Sequence, residues 1–140
     1  MAFFTWRNEY RVDVPAVDAQ HRRLFDLAEE LFEAMRTGQG KEVTGRALQQ
    51  LINYTTTHFA EEERMMAQHN YPHLKEHCAL HQELTQKVLE FQQRFQSGNA
   101  FLTVDLMHFL KSWLEDHIKR EDLRYVSFVS ARAGGIHADE

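Results

Sequence analysis

The sequence predicts an all-α protein: an antiparallel up-down-up-down four-helix bundle with an N-terminal arm and a short C-terminal helical extension. Three observations carry this prediction. Apolar residues recur at spacings of three and four through four long segments, which is the helical period. The breaks between those segments are short and marked by glycine or proline, and short connections make successive helices antiparallel neighbours. Strand-like alternation of apolar and polar residues is absent.

Each element follows from its own signals. The first helix is expected from about Asp18 to Thr37, with Asp18 as its N-cap and Gly38 and Gly40 beyond its end. The second is expected from Lys41 to Gln68, and the third from Leu74 to Gln96, entered after Pro72. Gly98 separates the third from a fourth, Thr103 to Lys119, and a shorter helical piece continues to about Arg132. Residues 1–14 form an arm carrying Phe3, Phe4, Trp6 and Tyr10, expected to pack over a bundle end. Residues 1–133 are read as one domain, and the polar tail at 134–140, which contains His137, as disordered.

Composition limits the function classes. Hydrophobic residues make up 43% and charged residues 26% of 140 positions, with a net charge of −5 and no basic patch, so nucleic acid is not an expected partner. No apolar run reaches the roughly 18 residues that span a bilayer, and the opening stretch lacks the basic-then-apolar pattern of a secretory signal. A single cysteine, Cys78, fits a reducing compartment. A cytoplasmic protein without membrane attachment is therefore expected. The unusual number is nine histidines.

Their placement is informative. A bundle core is a seam of positions alternately three and four apart. On the first helix the seam reads His21, Leu24, Ala28, Leu31, Met35, and on the second Leu48, Leu51, Thr55, His58, Glu62, Met65. On the third it reads Leu74, His77, His81, Leu84, Val88, Phe91, Phe95, and on the fourth Leu106, Leu110, Trp113, His117. His69, His73, His108 and His137 fall off these registers and are assigned to the surface; of the run Glu61 to Glu63 only Glu62 is on the seam, and its neighbours are read as solvated or as partners behind the seam residues.

One seam histidine is ordinarily a hydrogen-bonded core residue. Five histidines and a glutamate on four helices are a different case. Each uncompensated polar group in a core costs on the order of 1–3 kcal/mol, and a domain stable by roughly 5–15 kcal/mol cannot carry six of them unpaired. In antiparallel order His21, His58, Glu62, His77, His81 and His117 all fall near one end of the bundle. A metal would satisfy them together while fixing the imidazoles as neutral ligands. The residue types allow several metals.

The stretches "DAQHRRLF", "HFAEEE", "HLKEHCALH" and "HIKRED" together resemble the bacterial hemerythrins, non-haem di-iron proteins that bind dioxygen. The resemblance covers the chain from Trp6 to about Val129. It implies the ligand set His21, His58, Glu62, His77, His81, His117 and Asp122, two iron ions and a bridging oxide or hydroxide. Asp122 lies five residues after His117, so it requires the helix to loosen or bulge there; Glu121, four residues after, is the alternative that a regular helix prefers. The resemblance assigns His77, His81 and His117 to one iron and His21 and His58 to the other. If Glu62 and Asp122 both bridge, a single coordination position stays open, on the iron with fewer histidines, for dioxygen.

An apolar wall of Leu24, Phe25, Phe59, Trp113, Leu114 and Ile118 is expected to line the oxygen pocket and keep water out. Lys119 is the departure, because the resemblance implies an apolar residue there. Either its stem snorkels outward or the pocket is wetter and autoxidises faster; Lys119→Leu is expected to slow autoxidation, and an unchanged rate would remove Lys119 from the mechanism. With two carboxylates and no Glu-x-x-His motif, the ligand set differs from that of the di-iron carboxylate proteins and favours reversible binding over O–O cleavage. The expected function is an oxygen carrier, store or delivery protein, not an enzyme beyond a weak peroxidase-type activity. The alternatives are an oxygen or iron sensor, or a peroxide- or nitric oxide-handling enzyme using the same site.

Overall fold

The computed structural model describes residues 2–98 and 103–133, so the expected disordered tail at 134–140 lies outside the described residues. Four helical rods form the bundle: α1 (Pro15–Arg36), α2 (Lys41–Gln68), α3 (Leu74–Gln96) and α4 (Thr103–Asp116). The fourth rod continues through a π-helical turn, His117–Asp122, into α5 (Leu123–Ala133). Asp116 and Leu123, which flank that turn, both keep α backbone angles, so the expected C-terminal piece is a continuation of the fourth rod.

The helix ends show how the chain reverses. After α1, the Gln39 N–H bonds the Ala34 carbonyl at 3.0 Å and the Gly38 N–H bonds that of Met35 at 3.3 Å. Gly38 takes φ 65°, the left-handed position that closes a Schellman turn and that glycine adopts without a Cβ penalty. After α2 the same pair recurs from Tyr71 to Met66 and from Asn70 to Ala67, with Asn70 at φ 54°. Tyr71 and Met66 are buried in one apolar cluster, the side-chain contact that accompanies such a turn. This reversal brings His77, early in α3, back to the level of Glu62, late in α2.

The start of α1 differs from the sequence expectation. Pro15 occupies the first helical position and the extended Val14 precedes it, because proline has no N–H to lose there and its φ suits the helix. Asp18 is therefore inside the first turn and does not cap; its Oδ1 accepts the Val12 N–H at 2.8 Å and ties the arm to the helix.

The arm also differs, lying along the flank formed by α1 and the fourth rod. Its contacts move along α1 turn by turn. Phe3 stacks on Phe32 at 4.8 Å, the Phe3 and Phe4 N–H groups bond Glu29 at 3.0 and 2.9 Å, and Trp6 and Tyr10 pack on Phe25. Tyr10, in a short 3₁₀ turn, donates its hydroxyl to Glu115 at 2.8 Å. Burial and the Glu115 carboxylate raise the Tyr10 phenol.

Two apolar clusters divide the interior. The larger runs from Phe4 and Leu24 through Leu48 and Val88 to Trp113 and Ile118. The smaller joins Val12, Val14 and Val17 to Met66, Tyr71, Tyr125, Val126 and Val129. The buried histidines and carboxylates fall between them: His21 between Val17 and Leu24, Glu62 ahead of Met66, His117 and Asp122 between Trp113 and Tyr125. Among the described residues no helix is long and apolar enough to cross a membrane.

Candidate metal centre

The polar layer is a single cluster. His21, His58, Glu62, His77, His81, His117 and Asp122 are each 5% exposed or less. Their placement follows from helical geometry. His58 and Glu62 are four apart on α2, as are His77 and His81 on α3, so each pair shares one face. His117 and Asp122 are five apart and share a face because the turn between them is π-helical. The extra residue that such a turn accommodates carries Glu121 off the inward face, where it borders a groove between α3 and the fourth rod instead. The structure thus brings Asp122, not Glu121, into the cluster.

The two carboxylates divide their oxygens between two groups of imidazoles. Glu62 Oε1 faces His81 Nε2 at 3.3 Å and His77 Nε2 at 3.9 Å. Asp122 Oδ1 faces His77 Nε2 at 3.1 Å and His117 Nε2 at 3.2 Å. The other oxygens face the opposite way: Glu62 Oε2 is 3.2 Å from His21 Nε2 and 3.1 Å from His58 Nε2, and Asp122 Oδ2 is 3.1 Å from His21 Nε2. Donor atoms of Glu62, His77, His81, His117 and Asp122 lie within 4.8 Å of one another, as do those of His21, His58 and Glu62.

These atoms are poorly satisfied by one another. His58 Nε2, Glu62 Oε1, His77 Nε2 and Asp122 Oδ1 are buried with no hydrogen-bond partner, although ligand-type atoms lie close by. The Nε2 atoms of His81 and His117 face each other at 3.1 Å, and two lone pairs cannot share that gap without a proton or an ion. Ligands at right angles around an ion at roughly 2.1 Å stand about 3 Å apart, which is the spacing observed. Buried polar atoms close together without hydrogen-bond geometry are what metal ligands require, so the residues fit a pair of ions.

The electrostatics of the ion-free cluster agree. Burial works against charging His21, yet Asp122 and Glu62 outweigh it and raise this histidine to about 10. His77 is raised against its burial by Asp122 and Glu62. Glu62 is disfavoured by burial and by Asp122, but His58 and His21 hold it well below the ordinary carboxylate value. Asp122, also opposed by burial, is held down by His117 and His21. Buried carboxylates kept ionised at a place that must otherwise recruit protons form a cation-binding site.

A model of the hemerythrin HHE cation binding domain matches residues 12–129. The chain belongs to the hemerythrin family. It is 33% identical over 132 residues to a bacteriohemerythrin of Methylococcus capsulatus, covering 94% of this chain and 100% of that protein. A myohemerythrin of Riftia pachyptila is 33% identical over 122 residues, covering 87% of this chain and 90% of that one. A crystal structure of wild-type hemerythrin, 32% identical, superposes with a TM-score of 0.82 over 89% of this chain and 95% of that chain.

Around the hemerythrin site, Leu24, Phe25, Phe59, Trp113, Leu114 and Ile118 are all buried. Two of them pack on histidines of the three-histidine group: Phe59 stacks on His81 with ring centres 3.7 Å apart, and Trp113 on His117 at 4.3 Å. Lys119 does not join this wall. Its side chain is 46% exposed and its Nζ lies 3.6 Å from Glu9 of the arm, so the stem snorkels outward and carries the charge to water.

Of the partners behind the ligands, the sequence offers Glu63, as a neighbour of Glu62 that is either solvated or a partner, but not Gln20. The Nδ1 of His58 donates to Gln20 Oε1 at 2.8 Å, and that of His81 donates to Glu63 Oε2 at 2.8 Å. Gln20 has no seam signal, and its only cue is adjacency to His21. Of the other histidines, His69 bonds the Met65 carbonyl, His73 lies between Glu76 and Arg124, and His108 is exposed beside Phe3.

Proposed function

We propose that this hemerythrin binds dioxygen reversibly at a non-haem di-iron centre. The observation that carries the reading is the division of the two carboxylates, each turning one oxygen to a three-histidine group and the other to a two-histidine group. His77, His81 and His117 with one oxygen of each carboxylate would hold one ion, and His21 and His58 with the other two oxygens would hold the second. The second group offers one protein ligand fewer than the first, so dioxygen would bind on that side. A pair of ferrous ions, when bound, would supply the reversible two-electron chemistry that dioxygen binding needs.

The side chains would orient the ligands and exclude water. Gln20 fixes the tautomer of His58 by accepting its Nδ1–H, which leaves Nε2 free for an ion. Phe59 and Trp113 hold the rings of His81 and His117 by stacking. The buried apolar residues Leu24, Phe25, Leu114 and Ile118 slow irreversible oxidation by excluding water. Two carboxylates among seven ligands donate less negative charge than the glutamate-rich di-iron sites, and this favours binding over O–O cleavage. We read the protein as a cytoplasmic oxygen store or carrier, with residues 1–133 as one domain. A single, half-buried cysteine supports the reducing compartment.

The test is to load the protein with Fe(II) without oxygen, admit oxygen and record the visible spectrum. An absorption band that grows with oxygen and disappears when oxygen is removed is the expected result. One-way conversion to a ferric form, with turnover of peroxide, would overturn carriage in favour of an enzyme.

A further inference from the structure

The two histidines with side-chain partners on their outward nitrogens belong to different halves of the centre, and the partners differ in charge. His81, in the three-histidine half, donates to the carboxylate of Glu63. His58, in the two-histidine half, donates to the neutral amide of Gln20. The outward Nδ1 atoms of His21, His77 and His117 are buried without a hydrogen-bond partner. Burial together with the Glu63 carboxylate raises the Cys78 thiol.

A carboxylate on the outward N–H of an imidazole draws that proton and makes the inward nitrogen a stronger donor; an amide orients the ring without adding charge. The Glu63 side chain is 35% exposed and sits in a groove between α2 and α3 beside Phe59 and His81, so it brings negative charge toward one half only. We propose that Glu63 is a positioning residue that makes the three-histidine half the tighter of two metal positions and the first to fill. This rests on the di-metal reading given above.

The test is anaerobic titration of the full chain, freed of metal, with Co(II) against a chelating indicator. The wild-type protein takes up two ions in two resolved steps. Glu63→Gln keeps a hydrogen-bond acceptor but removes the charge, and it weakens the first step roughly ten- to hundredfold while leaving the second within about twofold. Glu63→Asp restores most of the loss. Gln20→Glu, which adds charge behind His58, tightens the second step and narrows the gap. A first step unmoved by Glu63→Gln, or both steps weakened equally, would overturn the inference while the di-metal reading stands. A wild-type chain that takes up fewer than two ions would overturn that reading and the inference with it.

Discussion

At the residue scale, Lys119 shows how a position read from a pattern differs from one read in space. The resemblance places it two residues beyond His117, facing an oxygen pocket. In the structure its amine lies against Glu9 with about half of the side chain exposed. An exposed pair of this kind contributes little, about 0–1 kcal/mol, and the charge is already outside the apolar wall. Lys119→Leu is accordingly expected to change the lifetime of the oxygenated form by less than about twofold, followed by the decay of its visible absorption. A marked slowing would return the lysine to the pocket. The seam residues were legible because a polar side chain on an apolar face costs too much to be accidental. Gln20 was not, and Glu63 was legible only as one of two options, solvated or partnered, because their roles depend on how α1, α2 and α3 cross.

At the element scale, α2 and α3 begin and end where the sequence predicts, since glycine, proline and the Schellman positions punctuate both. The seams drift near their ends. Met66, not Met65, is buried on α2, and Ala34, not Met35, on α1, because a straight helix of 3.6 residues per turn slips against a 3.5-residue pattern. The π-helical turn is the element with most consequence. Spacing alone left Glu121 and Asp122 competing, and only the wider turn decides between them. Glu121→Ala should keep two ions per chain by metal analysis, whereas Asp122→Ala should lose at least one. Reversal of that pair would mean that the turn regularises to an α-helix when metal binds.

At the scale of the whole molecule, the centre sets how stability follows pH, and the sign inverts with loading. In the metal-free protein His21 is raised from 6.5 to about 10. Its stabilising contribution is complete below about pH 6.5 and is lost as pH rises toward 10. Glu62 and Asp122 are lowered, so their contribution is present above the ordinary carboxylate range and fades in acid. The metal-free fold should therefore melt highest between about pH 5 and 6.5. Metal requires the imidazoles neutral, so the loaded protein should hold its Tm into the alkaline range and lose its ions in acid. At an ion concentration about 100 times Kd, loading adds about 2.7 kcal/mol, on the order of 10 °C in Tm for a domain of this size. Calorimetry across pH, with and without chelator, checks both curves; a metal-free Tm flat from pH 6.5 to 9.5 would contradict the assignment of His21.

The polar layer between the two apolar clusters has a mechanical meaning. It is where the outer cap (Val12, Val17, Met66, Tyr125, Val129) meets the main body, and bound ions would rivet the two together across it. Drawing them out should loosen that cap first. Amide hydrogen exchange along α5 should quicken severalfold on chelation while the middle of α1, from Leu24 to Leu31, stays protected. Uniform quickening along both would mean that the bundle opens as one piece.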